Sequence, residues 1–158
     1  MTSGETTVEL VEQLTNEGVE HIVLLMRHSA REYEPGKHDL LNPLTDEGRD
    51  LARDMGKRLP KGLVVRGYTS PAERCVETAG LIMSGYAAAE GQILRNRVVE
   101  ALGVFYVLDQ IKMFKSMQAE GGMVGLLQRW FDGGIARDVL MPADLAVRLV
   151  GGLAKEKL

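Results

Sequence analysis

Apolar positions along the chain follow two patterns, continuous runs and helical spacings. Residues 21–26 form a continuous apolar run rich in branched side chains, which is typical of a strand buried on both faces of a parallel sheet. Shorter apolar runs predict a second strand over 63–68 and a third within 92–100. The chain is therefore expected to build a sheet from strands separated by longer segments.

Helical spacing dominates the segments between these runs. One helix is predicted between Thr45, a typical N-cap residue, and Pro60, which ends it. A second is predicted from a cap at Ser70 to about Gly85, a typical helix-ending residue. A short surface helix is predicted over 8–14. Each predicted strand in this part of the chain is thus followed by a helix.

This alternation predicts an α/β fold with a doubly wound, mostly parallel sheet and helices on both faces. After residue 100 the pattern is wholly helical, and residues 107–158 are expected to form a helical, cap-like segment within a single domain of 1–158. The large apolar side chains of this segment would line a substrate cleft or, as helical spacing favours, form core: Met113, Phe114, Met117, Met123, Trp130 and Phe131.

Length and composition restrict the class of protein. The 158 residues are 45% hydrophobic and carry a net charge of −3, which suits one domain with a core and gives no basic field of the kind that nucleic-acid or membrane-surface proteins display. The single cysteine, Cys75, excludes an intramolecular disulfide. No apolar run approaches the roughly 20 residues of a membrane span. We expect a cytoplasmic protein without nucleic-acid or membrane partners.

Charged side chains cluster where predicted strands end. Arg27, His28 and Arg31 follow the first run, while Ser70 and Arg74 follow the second. Ligands of open α/β sheets bind at the carboxyl ends of the strands. Three guanidiniums beside one imidazole would repel one another unless an anion lay among them, and phosphate matches their paired donors. The alternative is that these are ordinary loop charges.

An imidazole can attack phosphorus when one ring nitrogen is held by a carbonyl and the other keeps its lone pair. The neighbouring arginines would disfavour protonation of His28 and stabilise charge in the transition state. Such chemistry needs no metal, and we expect no cofactor.

Three segments together resemble one family. "LLMRHSAR" resembles the strand-end Arg-His-Gly signature of the histidine phosphatase superfamily, which includes phosphoglycerate mutase-like and histidine acid phosphatase branches. "NPLTDEGRDLA" is similar to its Leu-Thr-x-x-Gly segment, and "YTSPAERCVETAGLI" is similar to its Ser-x-x-x-Arg-x-x-x-Thr-Ala helix. Their order and spacing also agree over residues 22–82.

The resemblance implies roles for individual residues. His28 is the nucleophile that becomes phosphohistidine, and Arg27 and Arg74 bind the phosphate. Arg31 matches the second arginine of the acid phosphatase form, Arg-His-Gly-x-Arg. Glu100 lies where the mutase-like branch places its proton donor, although a solvated turn carboxylate is an equal alternative. Ser70 is expected first to cap a helix, and a cap at this position can also bind the phosphate.

Two features depart from the family pattern. Ser29 stands where the family has glycine, which should alter the freedom of the backbone beside the phosphate. The histidines are His21, His28 and His38, so the family's second active-site histidine, on a late strand, has no counterpart. We therefore expect a chain cut short before that strand. Pairing of the open sheet edge with a second copy would let such a fragment fold as a homodimer.

These observations favour a phosphatase that hydrolyses phosphate monoesters of a small molecule or protein. A mutase would share the first step, and a catalytically silent member would only bind phosphorylated ligands or proteins. The residues do not distinguish among sugar phosphates, nucleotides, phosphoproteins and terpenoid phosphates.

Overall fold

The computed structural model describes residues 5–34 and 41–157, and it divides the chain into two compact units, residues 1–100 and 101–158. Within the described residues, the first unit contains, in chain order, α1 Glu5–Asn16, α2 Asp46–Arg58, β1 Val64–Thr69, α3 Glu73–Ala88 and β2 Gln92–Val98. The second contains α4 Gln110–Ala119, α5 Met123–Phe131 and α6 Ala143–Lys157. In the sequence, the boundary between the two units falls within a 3-10 turn over Glu100–Leu102.

The sheet of the first unit is small and parallel. β1 pairs with β2 from Val64 opposite Gln92 to Thr69 opposite Val98, with a register shift after Val65. These strands agree with the second and third predicted strands. The fold is therefore a mixed α/β fold, whereas the doubly wound arrangement stays a prediction.

The predicted first strand is wrong. Residues 21–26 have no regular secondary structure and form no ladder with β1 or β2. Leu25 is 81% exposed and Val23 is also exposed, while Ile22 packs against the core of the unit. An apolar run forms a buried strand only where neighbouring strands pair with it and helices cover it. In the described part of the chain, the two strands present do not pair with this run.

The local signals of α2 are confirmed. The Thr45 hydroxyl accepts from the Gly48 N–H and caps the helix, with Asp46 and Glu47 in the first turn and basic residues in the last. The charges match the helix dipole and the hydroxyl satisfies a free amide at the helix start.

The start of α3 differs from the prediction. Ala72 is extended at φ −62° and ψ 127°, and the first helical hydrogen bonds are made to its carbonyl by Cys75 and Val76. The helix therefore begins at Glu73 with no side-chain cap, and the prediction that Ser70 is the N-cap is wrong. Ser70 lies half-buried in the loop before the helix.

The end of α3 also differs, because tertiary packing overrides the glycine signal. The helix runs past Gly85 to Ala88 and so brings Tyr86 into the core with Val11 and Leu59. The Tyr86 hydroxyl donates to the carbonyls of Pro60 and Leu63, and burial raises the pKa of the phenol. Burying the ring and satisfying its hydroxyl stabilise the additional helical residues.

Close approach of α2 and α3 requires glycine. A Cβ on Gly85 would strike the Arg53 carbonyl of α2, and a Cβ on Gly56 would strike the Ile82 carbonyl of α3. The two helices therefore meet backbone to backbone, an arrangement that any larger residue would separate.

The second unit has its own core of Leu126, Val139 and Leu140. Trp130 stacks on Tyr106 with ring centroids 5.0 Å apart and donates its indole N–H to the Met141 carbonyl. Six apolar residues of this segment were candidates for a substrate cleft. Three of them pack against this core: Met113, Met117 and Trp130. The other three are exposed: Phe114, Met123 and Phe131. In the described ranges, no helix has the length and apolar character to cross a bilayer.

Candidate active site

His28 lies half-buried in the loop that follows the exposed apolar run. Its Nδ1 is 2.7 Å from the Ser29 carbonyl oxygen, which can only accept a hydrogen bond. The proton therefore lies on Nδ1, and the Nε2 atom keeps its lone pair. This is the tautomer that a nucleophilic imidazole requires.

Burial and positive charge both keep the imidazole neutral. Desolvation lowers the pKa of His28 most, although the hydrogen bond to Ser29 works in the opposite direction. The guanidiniums of Arg74, Arg27 and Arg31, in decreasing order, lower the pKa further. The described geometry thus brings all three predicted arginines within electrostatic reach of the ring.

The three arginines differ in their surroundings. Arg74, in the first turn of α3, is buried and only 8% exposed, whereas Arg27 is exposed. Arg31 donates to the Glu32 carbonyl at 2.9 Å, and its guanidinium lies 5.9 Å from the ring centroid of Tyr33. A buried charge acts more strongly on its neighbours because little water screens it, and among the three arginines Arg74 lowers the pKa of His28 most.

Thr78 connects the histidine loop to α3. Its hydroxyl accepts from the Ser29 N–H at 3.1 Å and donates to the Arg74 carbonyl at 2.7 Å. Thr78 is one helical turn beyond Arg74, so both face the loop. The sequence motifs predict no role for Thr78; the signal for one is its i+4 spacing from Arg74 within the Arg-x-x-x-Thr segment.

The loop is also tied to the segment before α2. The Ala30 carbonyl accepts from the Thr45 N–H at 3.0 Å, and the Glu32 N–H donates to the Pro43 carbonyl at 2.9 Å. Arg31 forms an isolated antiparallel bridge with Leu44. Residues 28–32 are therefore held between α3 on one side and residues 43–45 on the other.

Ser29 acts here through its backbone, since its N–H and carbonyl bind Thr78 and His28. Its φ is not positive, so this position does not need the conformational freedom of glycine. The expected change in backbone freedom at Ser29 stays a prediction.

Glu100 is exposed at the first residue of the 3-10 turn after β2. Because β1 and β2 are parallel, their carboxyl ends share one edge, and the Val99 N–H donates to the Thr69 carbonyl there at 2.8 Å. Ser70 follows at the same edge. His38 lies outside the described residues, and His21 is exposed. The catalytic and binding roles of these residues stay predictions.

Comparison with known proteins identifies the family. The family model of the histidine phosphatase superfamily (branch 1) matches residues 23–101, half of the 158 residues. No curated protein and no solved structure matches the chain. The matched range includes the His28 loop, α3 and Glu100. The chain therefore belongs to the histidine phosphatase superfamily, branch 1.

Proposed function

We propose that the protein is a phosphatase that hydrolyses phosphate monoesters through a phosphohistidine on His28. Membership of the superfamily supports phosphatase or phosphomutase chemistry in general. The observation that carries the specific proposal is the hydrogen bond from His28 Nδ1 to the Ser29 carbonyl, which leaves Nε2 unprotonated beside three guanidiniums. A neutral nucleophile in a positive field suits attack on an anionic phosphoryl group.

The first step transfers the phosphoryl group to the protein. The Nε2 lone pair of His28 forms a bond to phosphorus as the bond from phosphorus to the ester oxygen breaks. Arg74, Arg27 and Arg31 neutralise the charge on the phosphoryl oxygens, and Ser70 is a further ligand. Glu100 gives its proton to the departing alcohol.

The second step returns the enzyme to its starting state. Water forms a bond to phosphorus while the bond to Nε2 breaks. The proton lost by water goes to the Glu100 carboxylate, so the acid of the first step acts as the base of the second. The family resemblance and the position of Glu100 at the shared sheet edge support this assignment.

Hydrolysis of p-nitrophenyl phosphate tests the nucleophile. His28→Ala is expected to abolish turnover, whereas the matched control His21→Ala, at an exposed histidine, retains it. Mass spectrometry of the acid-free digest should find one phosphoryl group on the His28 peptide. Turnover that survives His28→Ala would contradict the proposal.

The leaving group tests Glu100. Glu100→Gln is expected to slow hydrolysis of an alkyl phosphate about 100-fold and to slow p-nitrophenyl phosphate far less, because nitrophenolate departs without a proton. Equal losses on both substrates would exclude Glu100 as the proton donor.

A second function, phosphate binding without turnover, is favoured by one observation. No histidine follows residue 38 in these 158 residues, so a counterpart of the family's second active-site histidine is not among them. Stabilisation by inorganic phosphate without hydrolysis of any phosphate monoester would favour this function.

A further inference from the structure

We infer that Arg49 of α2 is a positioning residue of the candidate site: it binds the Glu77 carboxylate of α3 and so keeps that negative charge away from His28 and the bound phosphoryl group. The inference rests on the proposed function, since it concerns the phosphate site of the same reaction. Both residues stand at positions that the motifs of the sequence leave open.

The first turns of α3 carry a carboxylate close to an arginine of the site. Glu77 is three residues after Arg74, and residues at this spacing are neighbours on a helix surface, with Cβ atoms about 5–6 Å apart. Both side chains line one cavity of about 540 Å³. A negative charge at this distance would weaken the attraction of the site for an anion and would repel the anion itself.

Arg49 lines the same cavity and compensates this carboxylate. Its Nε atom donates to Glu77 Oε1 at 2.7 Å, and its Nη1 atom donates to Asp46 at 2.9 Å. The side chains of Arg49 and Glu77 are only 33% and 32% exposed, whereas that of Asp46 is 98% exposed. Because water screens an exposed charge more strongly, the pair with Glu77 decides the charge of the cavity wall.

The contact with Arg49 directs the Glu77 side chain toward α2. Glu77 directly precedes Thr78, whose hydroxyl bonds the nucleophile loop, so its backbone lies near that loop. Among the described residues, however, the charges that act on His28 are the guanidiniums of the three arginines already named, and Glu77 does not contribute. The carboxylate is thus near the site in the helix and kept from it by its partner.

The turn of α2 that carries Arg49 is itself packed against the nucleophile loop. A Cβ on Gly48 would strike the Ala30 carbonyl, and the Arg49 N–H donates to the Thr45 carbonyl at 3.0 Å. Asp46 holds the other side of the guanidinium. Arg49 is therefore in place beside the loop before an anion binds.

Binding of inorganic phosphate, measured by calorimetric titration of the full chain, tests the role of the charge. Arg49→Ala is expected to weaken binding about fivefold, because the Glu77 carboxylate is then uncompensated. Arg53→Ala is the matched control, since it removes the same charge from the same helix and breaks only the pair with Asp50. It should bind phosphate as the unmodified protein does.

A double variant separates this role from that of a simple link between the helices. Arg49→Ala/Glu77→Gln has the net charge of the unmodified protein and still lacks the ion pair. We expect it to recover the phosphate affinity but not the resistance to urea that Arg49→Ala loses. Affinity that stays low in the double variant would show that Arg49 only joins α2 to α3, and the inference would then be wrong.

Nuclear magnetic resonance of His28 provides a second readout, which needs no ligand. The pKa of His28 should rise in Arg49→Ala, because a carboxylate near the ring favours the protonated imidazole. It should return in the double variant and stay unchanged in Arg53→Ala. An unchanged pKa in Arg49→Ala, together with unchanged phosphate affinity, would overturn the inference.

The remaining outcomes separate this inference from the proposed function. Turnover of p-nitrophenyl phosphate with equal phosphate affinity in all variants overturns the inference alone. If the unmodified protein binds no phosphate, the proposed function fails and the titration of His28 decides the inference. A pKa that rises in Arg49→Ala and returns in the double variant then supports the role of Arg49, and any other result overturns it.

Discussion

The two segments that meet at the candidate site are held in place by different means. Helices α2 and α3 pack backbone to backbone through glycines, and an ion pair between Arg49 and Glu77 joins them. The segment 21–26, by contrast, makes no strand pairing and leaves most of its apolar side chains exposed. His28 is nevertheless fixed, because residues 28–32 are bonded to α3 and to residues 43–45. The difference teaches that the helices, rather than the preceding run, position the nucleophile.

Substitution of the glycine at the helix contact should have the largest effect on this arrangement. Gly85→Ala is expected to destabilise the protein by about 3 kcal/mol because its Cβ would strike the Arg53 carbonyl. Gly80→Ala, on the same helix with open space around it, should instead stabilise by about 1 kcal/mol. Urea unfolding measures both, and equal effects at the two positions would mean that the helices do not meet at Gly85.

Removal of the buried Arg74 guanidinium on α3 should have the second-largest effect, on phosphate binding. Arg74→Ala is expected to weaken binding of inorganic phosphate or vanadate by about 2 kcal/mol or more, the value of a charge-assisted contact. Arg53→Ala, which removes a half-buried arginine of α2 paired with Asp50, is the control and should bind as the unmodified protein does. Calorimetric titration distinguishes them, and unchanged binding in Arg74→Ala would remove α3 from the anion site.

The bond between the loop and the helix can be removed without changing side-chain shape. Thr78→Val is expected to cost about 1–2 kcal/mol, because it leaves the Ser29 N–H without its acceptor. Thr78→Ser keeps the hydroxyl and should restore most of the phosphate affinity that Thr78→Val loses. A valine variant with full stability and full affinity would show that the loop is positioned without α3.

The smallest expected effect is on the titration of His28. Burial and the arginines lower its pKa, so nuclear magnetic resonance should detect a pKa below that of histidine in the unfolded chain. Because the folded-state pKa is the lower one, the neutral ring contributes stability fully above the unfolded-state pKa. This contribution is lost as the pH falls through the folded-state pKa. As the pH is lowered through this window, the urea concentration at the midpoint of unfolding should therefore fall less for His28→Gln than for the unmodified protein. A raised pKa of His28 would contradict the description of the site.

The parts of the fold that depend on neighbouring residues in the sequence were predictable. The Thr45 cap of α2 and the two paired strands have local signals in side-chain type and spacing. Predictions failed where distant contacts decide. α3 passes Gly85 because Tyr86 is buried against other elements, and residues 21–26 are not a strand because no strand in the described residues pairs with them.

The candidate site shows the same division. The sequence by itself determined the family, through the motifs around His28 and Arg74, and it determined the charge and chemistry that these side chains offer. Only the tertiary structure decided that Thr78 joins the loop to α3, that the Nδ1 atom of His28 carries the proton, and that Arg49 binds Glu77. The physical reason is that residue type fixes what a group can donate, accept or carry as charge, whereas burial and hydrogen-bond partners depend on residues far away in the chain.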